Sequence, residues 1–125
     1  MQGLLLISSG DIARALYEKA VAYFGHVPNQ FDYLTLSFQN QDEKALKEKI
    51  EELDNGDGVI IMADEIYPEE ITKTCLNDNC QLITGINQPM LLNILMERMN
   101  EQPLDLGKIV GTGRQGMTVL KMETI

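Results

Sequence analysis

The sequence predicts an α/β fold, a doubly wound and mostly parallel sheet with helices on both faces. Strand-like and helix-like segments alternate along the chain, which is typical of such folds. Residues 59–63 (VIIMA) are apolar on both faces, as expected of a strand at the centre of a parallel sheet. With 125 residues and 44% hydrophobic content, the chain can bury one core. We therefore expect residues 1–125 to form a single domain, without repeats or linkers.

The first predicted unit is a strand, a turn and a helix. Residues 3–7 form a short apolar run. The helix spans residues 11–24, with Asp11 as its N-cap and Gly25 at its end. Its residues at helical spacing are Ile12, Ala15, Leu16, Lys19, Ala20 and Tyr23.

The middle of the chain repeats this alternation. A second strand is predicted over residues 31–38, and a charged helix with one apolar stripe over residues 42–53. The breaker at 54–58 (DNGDG) precedes the third strand, residues 59–63.

The remaining elements complete the sheet. A helix begins near Pro68 and runs through Asn77, followed by a strand at residues 81–84. Helices are then expected from 85–89 to about Asn100 and over residues 104–113. Residues 117–122 alternate in a strand pattern, and we predict that this strand closes the fold.

Composition excludes several classes of function. The net charge is −9, which disfavours a nucleic-acid surface. No apolar run reaches the ~18–20 residues that a membrane span needs, and the start lacks a basic signal region, so a cytoplasmic protein without direct membrane insertion is expected. Cys75 and Cys80 are expected to be free thiols, and His26 stands alone, so neither a metal nor a cofactor is predicted.

The candidate site lies at the carboxyl ends of the strands, where open α/β sheets bind their ligands. This rule selects four loops: residues 8–11, 38–41, 64–68 and 85–88. The first, Ser8-Ser9-Gly10-Asp11, contains no His, Cys or Lys. Asp11 is interpreted as a helix cap. Asp64 follows the third strand directly and either satisfies loop amides or orients a catalytic group.

Residues 83–91 (ITGINQPML) carry a specific resemblance. They resemble the signature loop of the mannose-type enzyme IIA domain of the bacterial sugar phosphotransferase system, a Thr-Gly-Val-Asn-like run before a Pro-Met-Leu helix. Residues 3–15, 53–59, 63–64 and 113–117 resemble further landmarks of that family in order and spacing. The similarity spans essentially the whole chain. The phosphotransfer subunit of dihydroxyacetone kinases shares this fold and is a neighbouring possibility.

The resemblance implies a phosphoryl carrier and a homodimer. In the family, a histidine after the first strand accepts a phosphoryl group from HPr and passes it to a IIB domain. An aspartate after the third strand orients that imidazole, and a Gly-Gly-Ser-Pro loop supplies donors to the phosphate. The family's C-terminal strand exchanges between two subunits, which implies that residues 117–122 form an antiparallel strand exchanged in a dimer.

This sequence departs from the family at the decisive positions. Ser9 stands in place of the phosphoacceptor histidine, whereas Asp64 matches the orienting aspartate. Residues 65–70 (EIYPEE) replace the donor loop and add carboxylates, which repel a phosphoryl group. No catalytic residue is therefore assigned. The residues expected to bind a ligand or partner are Ser8, Ser9, Gly10, Asp64, Tyr67 and Asn87.

One motif points elsewhere. Residues 111–116 (GTGRQG) spell G-x-G-x-x-G, but too little chain follows for a dinucleotide fingerprint. We interpret these glycines as a hinge into the last strand. His26 is predicted to be a solvated loop residue at the opposite end of the sheet from the site.

Three hypotheses follow. The first is a degenerate, regulatory or accessory enzyme IIA-like component that binds HPr-like or IIB-like proteins without being phosphorylated. The second is an active phosphoryl carrier with an unusual acceptor. The third is a small-ligand-binding module whose cleft is bordered by Ser9, Asp64, Tyr67 and Asn87.

Overall fold

The structure is a computed structural model that describes residues 1–38, 41–77, 79–100 and 103–125. The chain divides into two compact units, residues 1–86 and residues 87–125. That both units belong to a single domain stays a prediction.

The first unit contains a four-stranded parallel sheet, which confirms the predicted fold class. The strands are β1 (Gly3–Ser9), β2 (Phe31–Leu36), β3 (Val59–Ala63) and β4 (Cys80–Thr84). They lie in the order β2-β1-β3-β4, and all three neighbouring pairs are parallel. The two central strands are buried along nearly their whole length, which explains their continuous apolar sequences.

Helices cover both faces of this sheet. They are α1 (Ile12–Phe24), α2 (Asp42–Leu53) and α3 (Glu69–Cys75). On one face, the Tyr17 ring of α1 packs on Phe31 and Tyr33 of β2, with ring centroids 4.9 and 5.0 Å apart. On the other face, α2 and α3 enclose a continuous core with alternate residues of β1 and β3, including Leu5, Ile7, Leu46, Ile50, Ile61 and Ile71.

The buried face of α1 differs from the predicted one. Ala13 and Ala20 are its buried residues, whereas Ile12 and Tyr23 are 51% and 60% exposed. The reason is that β1 continues to Ser9, and the short turn that follows sets the rotation of the helix. The spacing of apolar residues therefore predicted the helix correctly, but the face that is buried is rotated by about one residue from the predicted face.

The second unit begins with two helices, α4 (Gln88–Glu97) and α5 (Leu106–Gln115). Gly113 lies in α5, where a Cβ would approach the Met90 side chain of α4 at 3.1 Å. The interpretation of residues 111–116 as a hinge is therefore wrong for most of that segment. Gly111 and Gly113 are helical, Gly116 follows the helix as its C-cap, and Gly113 permits a close approach between the two helices.

The predicted terminal strand is absent from this single chain. Residues 117–121 adopt no regular secondary structure, and a short 3₁₀ turn follows at Met122–Thr124. A strand needs a neighbour for its backbone hydrogen bonds. Within the described residues, the backbone amides of Thr118, Val119 and Leu120 donate no hydrogen bond. The exchange of this strand in a dimer stays a prediction.

Candidate functional site

The candidate site lies where β1 and β3 reach the carboxyl edge of the sheet. Ser9 is the last residue of β1, and Asp64 follows the last residue of β3. Gly10 turns the chain into α1 with φ of 63°, a left-handed conformation that favours glycine. Both Ser9 and Asp64 are half-buried. The sequence therefore placed these two positions correctly at one edge.

Ser8 has a structural task in this turn. Its side chain is fully buried, and its hydroxyl accepts a hydrogen bond of 2.8 Å from the Ala13 amide in the first turn of α1. Asp11 occupies the predicted N-cap position, but its side chain forms no capping bond. The predicted N-cap position of Asp11 is confirmed, but its side chain does not cap the helix, because the Ser8 hydroxyl reaches the helix amide from the strand.

Tyr67 closes the site from the opposite side. Its hydroxyl accepts a hydrogen bond of 2.8 Å from the Ser9 amide and donates one to Oδ1 of Asp64. The ring is only 6% exposed and belongs to the core beneath the α2/α3 face. Burial, followed by the hydrogen bond to Asp64, raises the pKa of Tyr67. The hydroxyl therefore keeps its proton at neutral pH and holds it against the carboxylate.

The Asp64 carboxylate accepts a hydrogen bond from the Tyr67 hydroxyl of its own loop. Whether Asp64 satisfies loop amides or orients a catalytic group stays a prediction. No imidazole lies in this site, because Ser9 ends β1 and His26 is exposed in the loop that follows α1. His26 contacts the Phe24 carbonyl at 3.1 Å, at the amino edge of the sheet.

A second aromatic residue, Phe38, begins the predicted site loop 38–41 but was not among the residues expected to bind a ligand or partner. Phe38 packs near the Tyr67 ring, with centroids 6.1 Å apart, and is 60% exposed. Its φ of 59° lies in the left-handed region that bulky residues avoid. Asp42, the first residue of α2, holds this turn. Its carboxylate accepts hydrogen bonds from the Phe38 amide at 2.6 Å and from the amide and hydroxyl of Ser37 at 3.0 and 2.8 Å.

Asn87, also predicted as a site residue, belongs to the second unit. Its side chain accepts a hydrogen bond of 3.0 Å from the Met90 amide and donates one of 2.7 Å to the Gly113 carbonyl. It therefore caps α4 and ties it to α5. The structure brings Ser9, Asp64 and Tyr67 together, and it gives Asn87 a capping role inside its own unit. Residues 39–40 of the predicted second loop lie outside the described residues.

The cysteines behave as buried core residues. Burial raises the pKa of the Cys75 thiol to about 12, so this thiol stays protonated and unreactive at neutral pH. In the described parts of the chain, no group of His, Cys, Asp and Glu side chains is arranged to hold a metal ion. Nor does any described helix combine the length and apolar character needed to cross a membrane.

The strand order β2-β1-β3-β4, with helices on both faces and the candidate site at the carboxyl edge, defines a doubly wound α/β domain. The chain belongs to the mannose-type EIIA family, because the family model described as the PTS system fructose IIA component matches residues 3–109. Among curated proteins, none matches significantly.

Solved structures show the same fold. A PTS IIA protein associated with the fucose utilization operon of Streptococcus pneumoniae is 22% identical with a TM-score of 0.82, and the match covers 99% of this chain and 96% of that one. The mannose/sorbose-specific IIA subunit of Enterococcus faecalis is 12% identical with a TM-score of 0.73, covering 97% and 96%. The EIIA component of Streptococcus agalactiae is 10% identical with a TM-score of 0.75, covering all of both chains.

Proposed function

We propose that this chain is a mannose-family IIA component of a sugar phosphotransferase system that acts by binding and does not carry a phosphoryl group. The family membership supports a place in such a system. The observation that carries the rest is the Tyr67 hydroxyl, which joins the Asp64 carboxylate to the Ser9 amide. In this geometry the aspartate has a partner other than an imidazole, and the strand-end amide is unavailable to a phosphate oxygen.

The chemistry of Ser9 supports the same proposal. A histidine carries a phosphoryl group as a labile N–P bond, whereas a serine would form a stable ester that is poorly suited to onward transfer. Exposed carboxylates follow β3, with Glu65 in the loop and Glu70 in the first turn of α3. These charges repel a phosphoryl dianion. The altered features act in the same direction, which favours a changed role over a single accidental loss.

The small-ligand and dihydroxyacetone-kinase-like alternatives receive no such support. A ligand entering this edge would need the polar groups of Ser9, Asp64 and Tyr67, and these are already bonded to one another. We therefore advance no second function. The particular sugar is left unassigned, and the cytoplasmic location stays a prediction from the sequence.

The proposal is tested with phosphoenolpyruvate, enzyme I and HPr, with a histidine-bearing IIA protein of the family as positive control. We expect the control to be labelled and this chain to remain unlabelled while still slowing transfer to the control by competing for HPr or for its IIB partner. A Ser9→His variant should recover little labelling, because the donor loop is also replaced. Rapid labelling of the unmodified chain would refute the proposal.

We also propose that the chain forms a homodimer in which residues 117–122 pair with a sheet edge of a second copy. Two features of this chain support the dimer. Met117, Val119 and Leu120 are 66–79% exposed, and β4 has only one neighbouring strand. A Val119→Pro variant removes a backbone donor from this segment and should shift the molar mass measured by light scattering from dimer to monomer. Lys121→Ala is the matched control. A monomeric unmodified chain would contradict the proposal.

A further inference from the structure

The turn that leads into β3 contains a chemically labile pair of residues. Asn55 is the only asparagine in the sequence that directly precedes a glycine, Gly56. Both residues are exposed, and Gly56 adopts a φ of 110°. Asparagine is among the thermally labile residues, and a following glycine has no Cβ to hinder attack on the asparagine side chain. The turn therefore places an exposed side-chain amide next to an unhindered backbone nitrogen.

The reaction open to this pair is the loss of ammonia from the Asn55 side chain. The backbone nitrogen of Gly56 gives up its proton and bonds to Cγ of Asn55, while the bond between Cγ and Nδ2 breaks. Nδ2 takes up a proton and leaves as ammonia, and a cyclic succinimide remains. Water then adds to either carbonyl of the ring and opens it. One opening yields aspartate, and the other yields isoaspartate, in which the backbone runs through the former side chain.

The Asp54 carboxylate restrains the attacking nitrogen. Its Oδ1 accepts hydrogen bonds from the Gly56 amide at 2.8 Å and from the Gly58 amide at 2.9 Å. Hydrogen bonds to a charged acceptor are stronger than those between neutral groups. The carboxylate also opposes removal of the amide proton, because that step creates a second negative charge beside it. Attack on Asn55 therefore requires the Gly56 amide to leave Asp54 first.

The Asn55 side chain links the turn to neighbouring elements. Its Nδ2 donates a hydrogen bond of 3.2 Å to Oε1 of Gln30, and its Oδ1 accepts one of 3.3 Å from the Asp57 amide. Nε2 of Gln30 donates at 2.9 Å to the carbonyl of Leu53, the last residue of α2. Deamidation to aspartate replaces the donating Nδ2 by an oxygen, which then faces another acceptor. The reaction therefore breaks the link through Gln30 to the end of α2.

We propose that Asn55 is a site of spontaneous deamidation and that the Asp54 carboxylate controls its rate by holding the Gly56 amide. The folded turn slows the reaction, and local opening of the turn permits it. The product carries an additional negative charge at the amino edge of the sheet, where the turn enters β3. The inference is independent of the proposed function, because neither Ser9 nor Asp64 takes part.

The test incubates the full chain at mildly alkaline pH and follows its asparagines by peptide mapping with mass spectrometry. Replacement of NH₂ by OH raises the mass of the peptide that contains Asn55, and fragmentation distinguishes aspartate from isoaspartate. Asn29 is the internal reference, since it is exposed in a turn but precedes Gln30. We expect Asn55 to be converted well ahead of Asn29. Equal conversion of the two residues, or no conversion of Asn55, would overturn the proposed site.

Matched variants test the control by Asp54. Asp54→Ala should accelerate the conversion of Asn55 by roughly 10-fold, because a charge-assisted hydrogen bond no longer restrains the nitrogen. Asn79→Ala is the control and should leave the rate unchanged, since Nδ2 of Asn79 contacts the other oxygen of the same carboxylate, Oδ2, at 3.3 Å. Urea-unfolded protein, which lacks the turn, should react at least as fast as Asp54→Ala. Equal rates in folded and unfolded protein would overturn the role of the turn.

A second variant keeps the test decisive if Asp54→Ala does not fold, which circular dichroism reports. Asp54→Asn retains an acceptor oxygen without the charge, so the conversion of Asn55 should be faster than in the unmodified protein. A rate equal to that of the unmodified protein would overturn the control by the carboxylate.

The structural consequence is measured on a variant that reproduces one product. Asn55→Asp should unfold at a lower urea concentration than the unmodified protein, because the bond to Gln30 is lost. Asn29→Asp is the control, since it adds the same charge outside the turn. Equal midpoints of Asn55→Asp and Asn29→Asp would contradict the link from Asn55 to the end of α2.

Discussion

Removal of the Tyr67 hydroxyl is the most informative change to the site. Tyr67→Phe keeps the ring in the core but leaves Oδ1 of Asp64 and the Ser9 amide without this partner. A hydrogen bond to a charged group contributes about 1.5–3 kcal/mol, and a bond between neutral groups about 0.5–1.5 kcal/mol. Because Ser9 and Asp64 are half-buried, water replaces part of this contribution. We expect a net loss of about 1–2 kcal/mol in the free energy of unfolding.

Urea unfolding measures this loss against a matched control. At a dependence of about 2 kcal/mol per molar urea, in the middle of the usual range, the midpoint should fall by roughly 0.5–1 M. Tyr23→Phe removes a hydroxyl from an exposed ring for which no hydrogen bond is found among the described residues. It should change stability by less than about 0.5 kcal/mol. Equal losses in the two variants would refute the view that the Tyr67 hydroxyl closes the site.

The dependence of stability on pH above pH 10 provides an independent test of the same hydroxyl. The pKa of Tyr67 is raised from 10.0 in the folded protein by burial and by Asp64. Above pH 10.0 the tyrosine of the unfolded chain loses its proton before the tyrosine of the folded protein does. The folded state then binds more protons than the unfolded state, so the free energy of unfolding falls as the pH rises. Stability should therefore decline more steeply above pH 10 in the unmodified protein than in Tyr67→Phe. Parallel declines would contradict the assignment.

Three further changes test the backbone and charge arguments. Phe38→Gly should leave the free energy of unfolding unchanged or raise it by up to about 1 kcal/mol in urea titrations, because it relieves positive φ; a large loss would contradict the strain argument. Gly58→Ala should lower the free energy of unfolding by about 2–4 kcal/mol, because a Cβ would clash with the Asn79 carbonyl. Gly25→Ala is the control, since Gly25 also has a positive φ but lies in open space, and it should lower that free energy by about 1 kcal/mol. Equal losses in the two variants would contradict the predicted clash. Hydrogen bonds from the Gly56 and Gly58 amides lower the pKa of Asp54, so the stability that this carboxylate contributes is present above pH 3.8 and is lost as the pH falls further. In Asp54→Ala, the melting temperature should therefore fall less steeply with decreasing pH than in the unmodified protein.

Much of the fold could be predicted because its two central strands are buried along nearly their whole length. The runs in β1 and β3 are apolar on both faces, and parallel strands buried in this way leave a strong sequence signal. α2 was predicted with its observed bounds, since a charged helix with one apolar stripe is equally distinct. The predicted terminal strand is not observed in this chain, because a strand needs a neighbouring edge for its backbone hydrogen bonds. Alternation in residues 117–122 indicates a strand, but it does not supply a neighbouring edge.

The site was predicted less completely because its chemistry depends on contacts across the chain. The positions of Ser9 and Asp64 followed from strand ends and from the family pattern. The hydroxyl of Tyr67 reaches Ser9 across 58 residues of sequence, which no local pattern reports. The role of Ser8 had a usable signal, since alternation along β1 turns it toward α1. The outward position of Phe38 depends on the Asp42 carboxylate and had no such signal.

The most direct test of the central claim is the phosphoryl content of this chain after incubation with phosphorylated HPr. Intact-protein mass spectrometry at neutral pH reports any transferred group, and acid treatment distinguishes a labile phosphohistidine from a stable phosphoserine. We predict an unmodified mass under conditions in which a histidine-bearing family member is fully phosphorylated. An acid-stable group on Ser9, or an acid-labile group on His26, would contradict the claim that this chain does not carry a phosphoryl group.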